Sequence, residues 1–142
     1  MSLLTPKMGS LALVLLGLGG CGDYWQFAHD ERVIGPYRLQ AVDTLSEMSV
    51  NYACRGGAAE RIPETVFKVG FDERFLIAAR HPFNDVSGRF DEKVAEYYYL
   101  VRSADGCDKL PSVSVHGPFD AARFDQESRR LHLPRFSRII TD

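Results

Sequence analysis

Long apolar runs are scarce in this 142-residue chain. The longest is Leu11-Ala12-Leu13-Val14-Leu15-Leu16-Gly17-Leu18. As a helix those residues would span only ~12 Å at ~1.5 Å each, against ~30 Å of bilayer hydrocarbon, so the run does not read as a transmembrane helix. An excess of charge of one sign is also missing. Lys+Arg is 17 and Asp+Glu is 19, net −2, which gives no sign of a nucleic-acid-binding surface. Cysteine is sparse, and no C-x-x-C, H-x-H or H-E-x-x-H occurs. His29, His81, His116 and His132 are scattered. A metal centre needs three or four ligands at sensible spacing, so none is expected. Ser112 and Ser114 sit in no G-x-S-x-G elbow and have no assigned base. The sequence thus offers no catalytic residue and no cofactor, and it leans away from an enzyme. What is present, 45% hydrophobic and 25% charged residues, is the mix of one folded domain.

The apolar run has the length of a signal-peptide core, preceded by a single positive side chain, Lys7. It closes with Leu18-Gly19-Gly20-Cys21. This segment resembles the lipobox of bacterial lipoproteins, in which an aliphatic and two small residues precede an obligatory Cys. The resemblance implies that residues 1–20 are removed and that Cys21 receives a diacylglycerol and further acyl chains. Residues 1–20 hold one lysine and no acid, so 122 residues at net −3 remain. Two acyl chains anchor durably where one is marginal. Gly22 at the second mature position favours the outer over the inner membrane. Residues 21–36 read as a tether, with Tyr24 and Trp25 packing on the domain or resting in the headgroup layer.

With Cys21 acylated, Cys54 and Cys107 remain. An even pair in an oxidising compartment reads as a disulfide, with two free thiols or a metal pair as the alternatives.

Residues 37–136 read as one α+β domain, an antiparallel β-meander of five to six strands with one C-terminal helix packed on it, followed by a tail at 137–142. Strands are expected at 37–43, 48–54, 64–71, 74–80, 96–102 and 112–116, from alternation and from aromatic and branched residues. The stretch 74–80 is apolar on both faces and reads as a central strand. Residues 83–94 are polar, contain Gly88 and read as an exposed hairpin loop. Asp120 is a good N-cap for a helix carrying Ala121, Phe124, Ser128 and Leu131 on one stripe. Pro134 follows soon after its end.

An ordered series then emerges: Ile62-Pro63-Glu64-Thr65-Val66, Val69-Gly70-Phe71-Asp72-Glu73-Arg74-Phe75-Leu76-Ile77-Ala78, Tyr97-Tyr98-Tyr99-Leu100-Val101, and Gly117-Pro118-Phe119 with Phe124 and Leu131-His132-Leu133-Pro134. It resembles a group of small bacterial lipoproteins of unknown function, which pair a lipobox with a sheet running through Gly-Pro-Phe or Gly-Pro-Leu into a terminal helix. The resemblance carries no known catalytic residues.

Two residues stand out as binding candidates. Tyr98 must point away from Tyr97 and Tyr99, so one of the two faces is free to take a ligand or partner if the other is core. His116 lies at the sheet-to-helix junction. Asp72-Glu73 reads as turn chemistry rather than a catalytic carboxylate pair. The expected function is a lipid-anchored binding or accessory module of the cell envelope. It would face the periplasm, contact the membrane through its anchor and have an envelope protein as a possible partner. The alternative is an inhibitor of a wall-degrading enzyme. Val50-Asn51-Tyr52-Ala53-Cys54-Arg55-Gly56-Gly57 resembles the opening strand of lipid-anchored lysozyme inhibitors, and Ser87-Gly88 with Phe90 resembles their inhibitory loop.

Overall fold

The computed structural model describes residues 27–141. The expected signal peptide, Cys21, Tyr24 and Trp25 lie outside the described residues. Eleven strands are formed among the described residues, in two sheets and a ribbon, and every pairing is antiparallel. The first sheet runs in chain order through β1 (His29–Ile34), β2 (Tyr37–Ala41), β3 (Ser49–Cys54) and β4 (Gly57–Ile62). The second comprises β5 (Val66–Phe71), β6 (Phe75–Arg80), β9 (Glu96–Val101), β10 (Val115–Phe119) and β11 (Arg138–Ile139). Its order is β10-β9-β6-β5-β11. Between β6 and β9 the chain makes a small ribbon, β7 (Phe83–Asn84) with β8 (Arg89–Phe90). Helix α2 (Ala121–Leu131) follows β10, and a single helical turn, α1 (Pro111–Ser114), precedes it.

The sheets bury one face each against the other. Tyr37, Leu39, Met48, Val50 and Ile62 of the first layer meet Val66, Val69, Leu76, Tyr98 and Leu100 of the second. The outer face of the second sheet is covered as well: Phe75, Ile77 and Tyr99 pack against Phe124 of α2, flanked by Leu131, Leu133 and Phe136. A sheet buried on both sides needs apolar residues at consecutive positions, and β6, at its centre, supplies them. The protein is therefore α+β in class, three layers deep, with more strands than a five- to six-stranded meander.

Several expectations need correction. The tether read at 21–36 contains β1, and the folded body includes it. β1 carries His29, Asp30, Glu31 and Arg32, a charged pattern that hides a strand but suits an exposed sheet edge. Arg38 Nε donates to Asp30 at 2.6 Å, and Glu31 pairs with Arg138 of β11. The residues read as a tail include β11, which pairs with β5. Strand β4 was not expected, because Gly57-Ala58-Ala59 has little strand preference; it forms by completing a hairpin with β3. Residues 112–116 are not one strand. Pro111 starts helical turn α1 with its fixed φ, and β10 begins only at Val115.

Two glycines set close approaches, one between layers and one between neighbouring strands. A Cβ at Gly70 would lie 2.1 Å from the carbonyl oxygen of Arg135, so the segment leading to β11 crosses directly over β5. A Cβ at Gly117 would lie 2.7 Å from the carbonyl oxygen of Tyr97, and φ there is +132°, which favours glycine. Helix α2 begins as expected: Asp120 Oδ1 accepts the backbone N–H of Arg123 at 2.7 Å. It ends with His132 in the left-handed conformation, two residues before Pro134.

Candidate binding cleft

Three stretches of chain converge at the end of the sandwich where β6 gives way to the ribbon. They enclose a cleft of about 480 Å³, within the range of small-molecule sites. Phe67 and Thr65 of the β5 segment and His81, just past β6, line it from the sheet. Arg89, Phe90 and Glu92 line it from the ribbon, and Leu45 and Ile140 close the sides. Thr65 and His81 exchange backbone hydrogen bonds of 3.2 and 2.9 Å, which extends the β5–β6 pairing to the cleft mouth. The His81 ring stacks on Phe67 with centroids 4.2 Å apart. Its Nδ1 lies 2.8 Å from the carbonyl oxygen of Val94, which can only accept. Nδ1 therefore carries a proton and donates it to that carbonyl.

The ribbon keeps its shape through local bonds. Asn84 Oδ1 accepts from the N–H groups of Val86 and Ser87 at 2.9 and 3.1 Å, and Phe83 meets Phe90 edge-on at 5.4 Å. Among the described residues Arg89 and Glu92 make no ion pair. The cleft thus offers an aromatic and aliphatic floor with one cation and one anion at its rim. That is the chemistry of noncovalent binding. No group of three or more His, Cys, Asp or Glu side chains placed to hold a metal occurs among the described residues.

The residues singled out from sequence are not brought together. Tyr98 lies in the core between the two sheets and is only 6% exposed. Both faces of β9 are covered, so Tyr98 offers no free surface. Its hydroxyl donates to Glu96 at 3.0 Å and accepts from Arg80 Nε at 3.1 Å, and burial is the main reason its pKa is raised. His116 lies on the other, outer face, stacked on Tyr99 at 4.6 Å. Neither residue lines the cleft. Asp72 caps its own turn, accepting from the N–H groups of Arg74 and Phe75 at 2.8 and 2.7 Å. The Ser114 side chain is buried with no hydrogen-bond partner among the described residues, and Ser112 is exposed.

Cys54 and Cys107 are joined by a disulfide at the opposite end of the sandwich, with Cα atoms 5.7 Å apart. A buried ion pair that the sequence did not reveal lies close by. Arg61 of β4 donates from Nε to both carboxylate oxygens of Asp105, at 2.9 and 3.0 Å, and from Nη2 to the carbonyl of Gly106 at 2.7 Å. Tyr37 donates to the same carboxylate at 3.0 Å, and burial, then Asp105, pushes its pKa above the ordinary tyrosine value. In the sequence Asp105-Gly106 looks like any turn. Arg61, an arginine beside an apolar strand end, was the signal available.

No curated protein and no solved structure matches the chain. A family model described as "Protein of unknown function (DUF3997)" matches residues 29–137, from the first residue of β1 to the threshold of β11. That span contains the first sheet, all of the second but β11, the ribbon and α2, and the chain therefore belongs to this family.

Proposed function

We propose that the protein is a non-catalytic binding module of the bacterial cell envelope, held to a membrane by lipid on Cys21 and facing the periplasm, with the outer membrane favoured. The cleft between ribbon and sheet carries the binding part of this reading. Its size, aromatic floor and two rim charges suit a small ligand with an apolar face and a polar edge. The run ending at Leu18-Gly19-Gly20-Cys21 supports the anchor, and the Cys54–Cys107 disulfide suits an oxidising compartment.

Each half has its own test. Cys21→Ala is expected to leave an uncleaved or soluble form; unchanged membrane fractionation and unchanged mature mass would sink the anchor. For the cleft, small molecules that copurify with the wild-type protein from envelopes are compared with those retained by the Arg89→Ala/Phe90→Ala variant. Loss of specific compounds at unchanged circular dichroism is expected, and equal retention overturns the assignment. A second reading, inhibition of a wall-degrading enzyme, is favoured by the ribbon that presents Ser87 and Gly88 at its exposed turn. Residual lysozyme activity with and without the purified protein separates the two.

A further inference from the structure

Exposed large apolar side chains are more numerous at one end of the sandwich than at the other. Phe27, Val42, Phe83, Val86 and Val94 are exposed, Val86 completely. All five belong to one end. The Ala28 N–H bonds to the Val42 carbonyl at 2.9 Å where β1 and β2 meet. The Val66 N–H bonds to the Met48 carbonyl at 2.7 Å, which joins the second sheet to the first at that same end. Arg80 pairs with Glu96, so the segment 83–94 between them projects from there too. The disulfide lies at the opposite end, with exposed Phe71, Leu110 and Val113. A soluble domain seldom gathers exposed large apolar side chains in one place without a partner.

The chain leaves the described body at this same end, at Phe27. Phe27 lies six positions after Cys21, a reach of at most ~22 Å when fully extended. A lipid on Cys21 therefore keeps this end within that distance of the bilayer. We propose that the end led by the β7–β8 ribbon rests in the interfacial layer of the membrane. Val86 at the turn, with Phe83 and Val94 beside it, would make a second, noncovalent contact. This inference rests on the anchor reading above. Residues 83–94 carry Asp85, Asp91 and Glu92 against Arg89 and Lys93. The contact is thus apolar rather than electrostatic, and it is insensitive to anionic lipid and to salt.

Tryptophan quenching tests the proposal on the full chain, purified from membranes and returned to phosphatidylethanolamine–phosphatidylglycerol vesicles with brominated acyl chains. In a Trp25→Phe background, Val86→Trp is compared with Val113→Trp, which lies on α1 in the segment that follows the disulfide. Several-fold stronger quenching of Val86→Trp, unchanged by added salt or by removal of phosphatidylglycerol, is expected. Equal quenching at the two positions, or quenching that salt abolishes, overturns the proposal. Intact mass separates the two ideas. A lipidated chain whose Val86→Trp stays unquenched, as when the ribbon serves an enzyme partner instead, sinks the docking alone. A chain without lipid sinks both.

Discussion

Arg61 and Asp105 have side chains that are 2% and 0% exposed, so neither charge is solvated. Each depends on the other and on the carbonyls and hydroxyl around the pair. Removing one partner leaves a buried charge without compensation, which costs ~3–5 kcal/mol. That is a large part of the ~5–15 kcal/mol that holds a domain together. Asp105→Ala should therefore lower the urea midpoint strongly, with little change in slope. Replacing both members by apolar residues of similar volume should cost less than the sum of the single losses. The disulfide ties the same loop to β3, so its loss and the loss of the ion pair should couple rather than add.

Glu127 is the buried acid of α2, lying between Arg123 and Arg130. The hydrogen bond from Arg130 is the main cause that holds its carboxyl below the usual carboxylate range, with the Arg130, Arg123 and His116 charges adding to it. A depressed folded-state pKa contributes stability above the unfolded value, and that contribution is lost as pH falls through the folded one. Glu127→Gln should accordingly be less stable at neutral pH and flatten the acid side of the stability curve. Urea unfolding at a series of pH values measures both, and an unchanged acid limb would refute the assignment.

Among the elements, α2 shows most clearly how much could be read in advance. Its cap, its start and the inward side of Phe124 and Leu131 follow from the sequence, because a helix on a sheet must place its few apolar residues on one side; Ala121, expected on that stripe, is exposed, and Glu127, expected to face water, is buried. Phe124 is 7% exposed, stacked on Tyr97 at 5.1 Å. Phe124→Ala should cost ~3–5 kcal/mol and lower the level of folded protein. His116→Ala should leave ligand binding per folded molecule nearly intact, because His116 faces Tyr99 rather than the cleft. Abolished binding with the fold preserved would move the site to the β10–α2 junction. The central strand was equally legible, since Phe75, Leu76, Ile77 and Ala78 are apolar without a break. The edges were not. β1 is charged and β4 opens with Gly57-Ala58-Ala59, and each is a strand only because a neighbour needs its hydrogen bonds. The cleft was hidden for a related reason. Phe67, His81 and Phe90 are far apart in sequence, and the registers of β5, β6 and the ribbon assemble them.

At the scale of the molecule, the layers are assembled from the chain in order. Residues 29–62 make the first sheet, residues 66–119 make most of the second, and residues 120–141 supply both the cover over Phe75, Ile77 and Tyr99 and the strand that closes the β5 edge. The part that finishes the structure is thus the part synthesised last. Until residues 120–141 arrive, one face of the second sheet stays wet and its β5 edge stays open, although the core between the two sheets is complete by Leu100. A chain cut short before residue 120 should therefore keep the contact between the sheets but leave Phe75, Ile77 and Tyr99 uncovered beside an open strand edge, the combination that invites self-association.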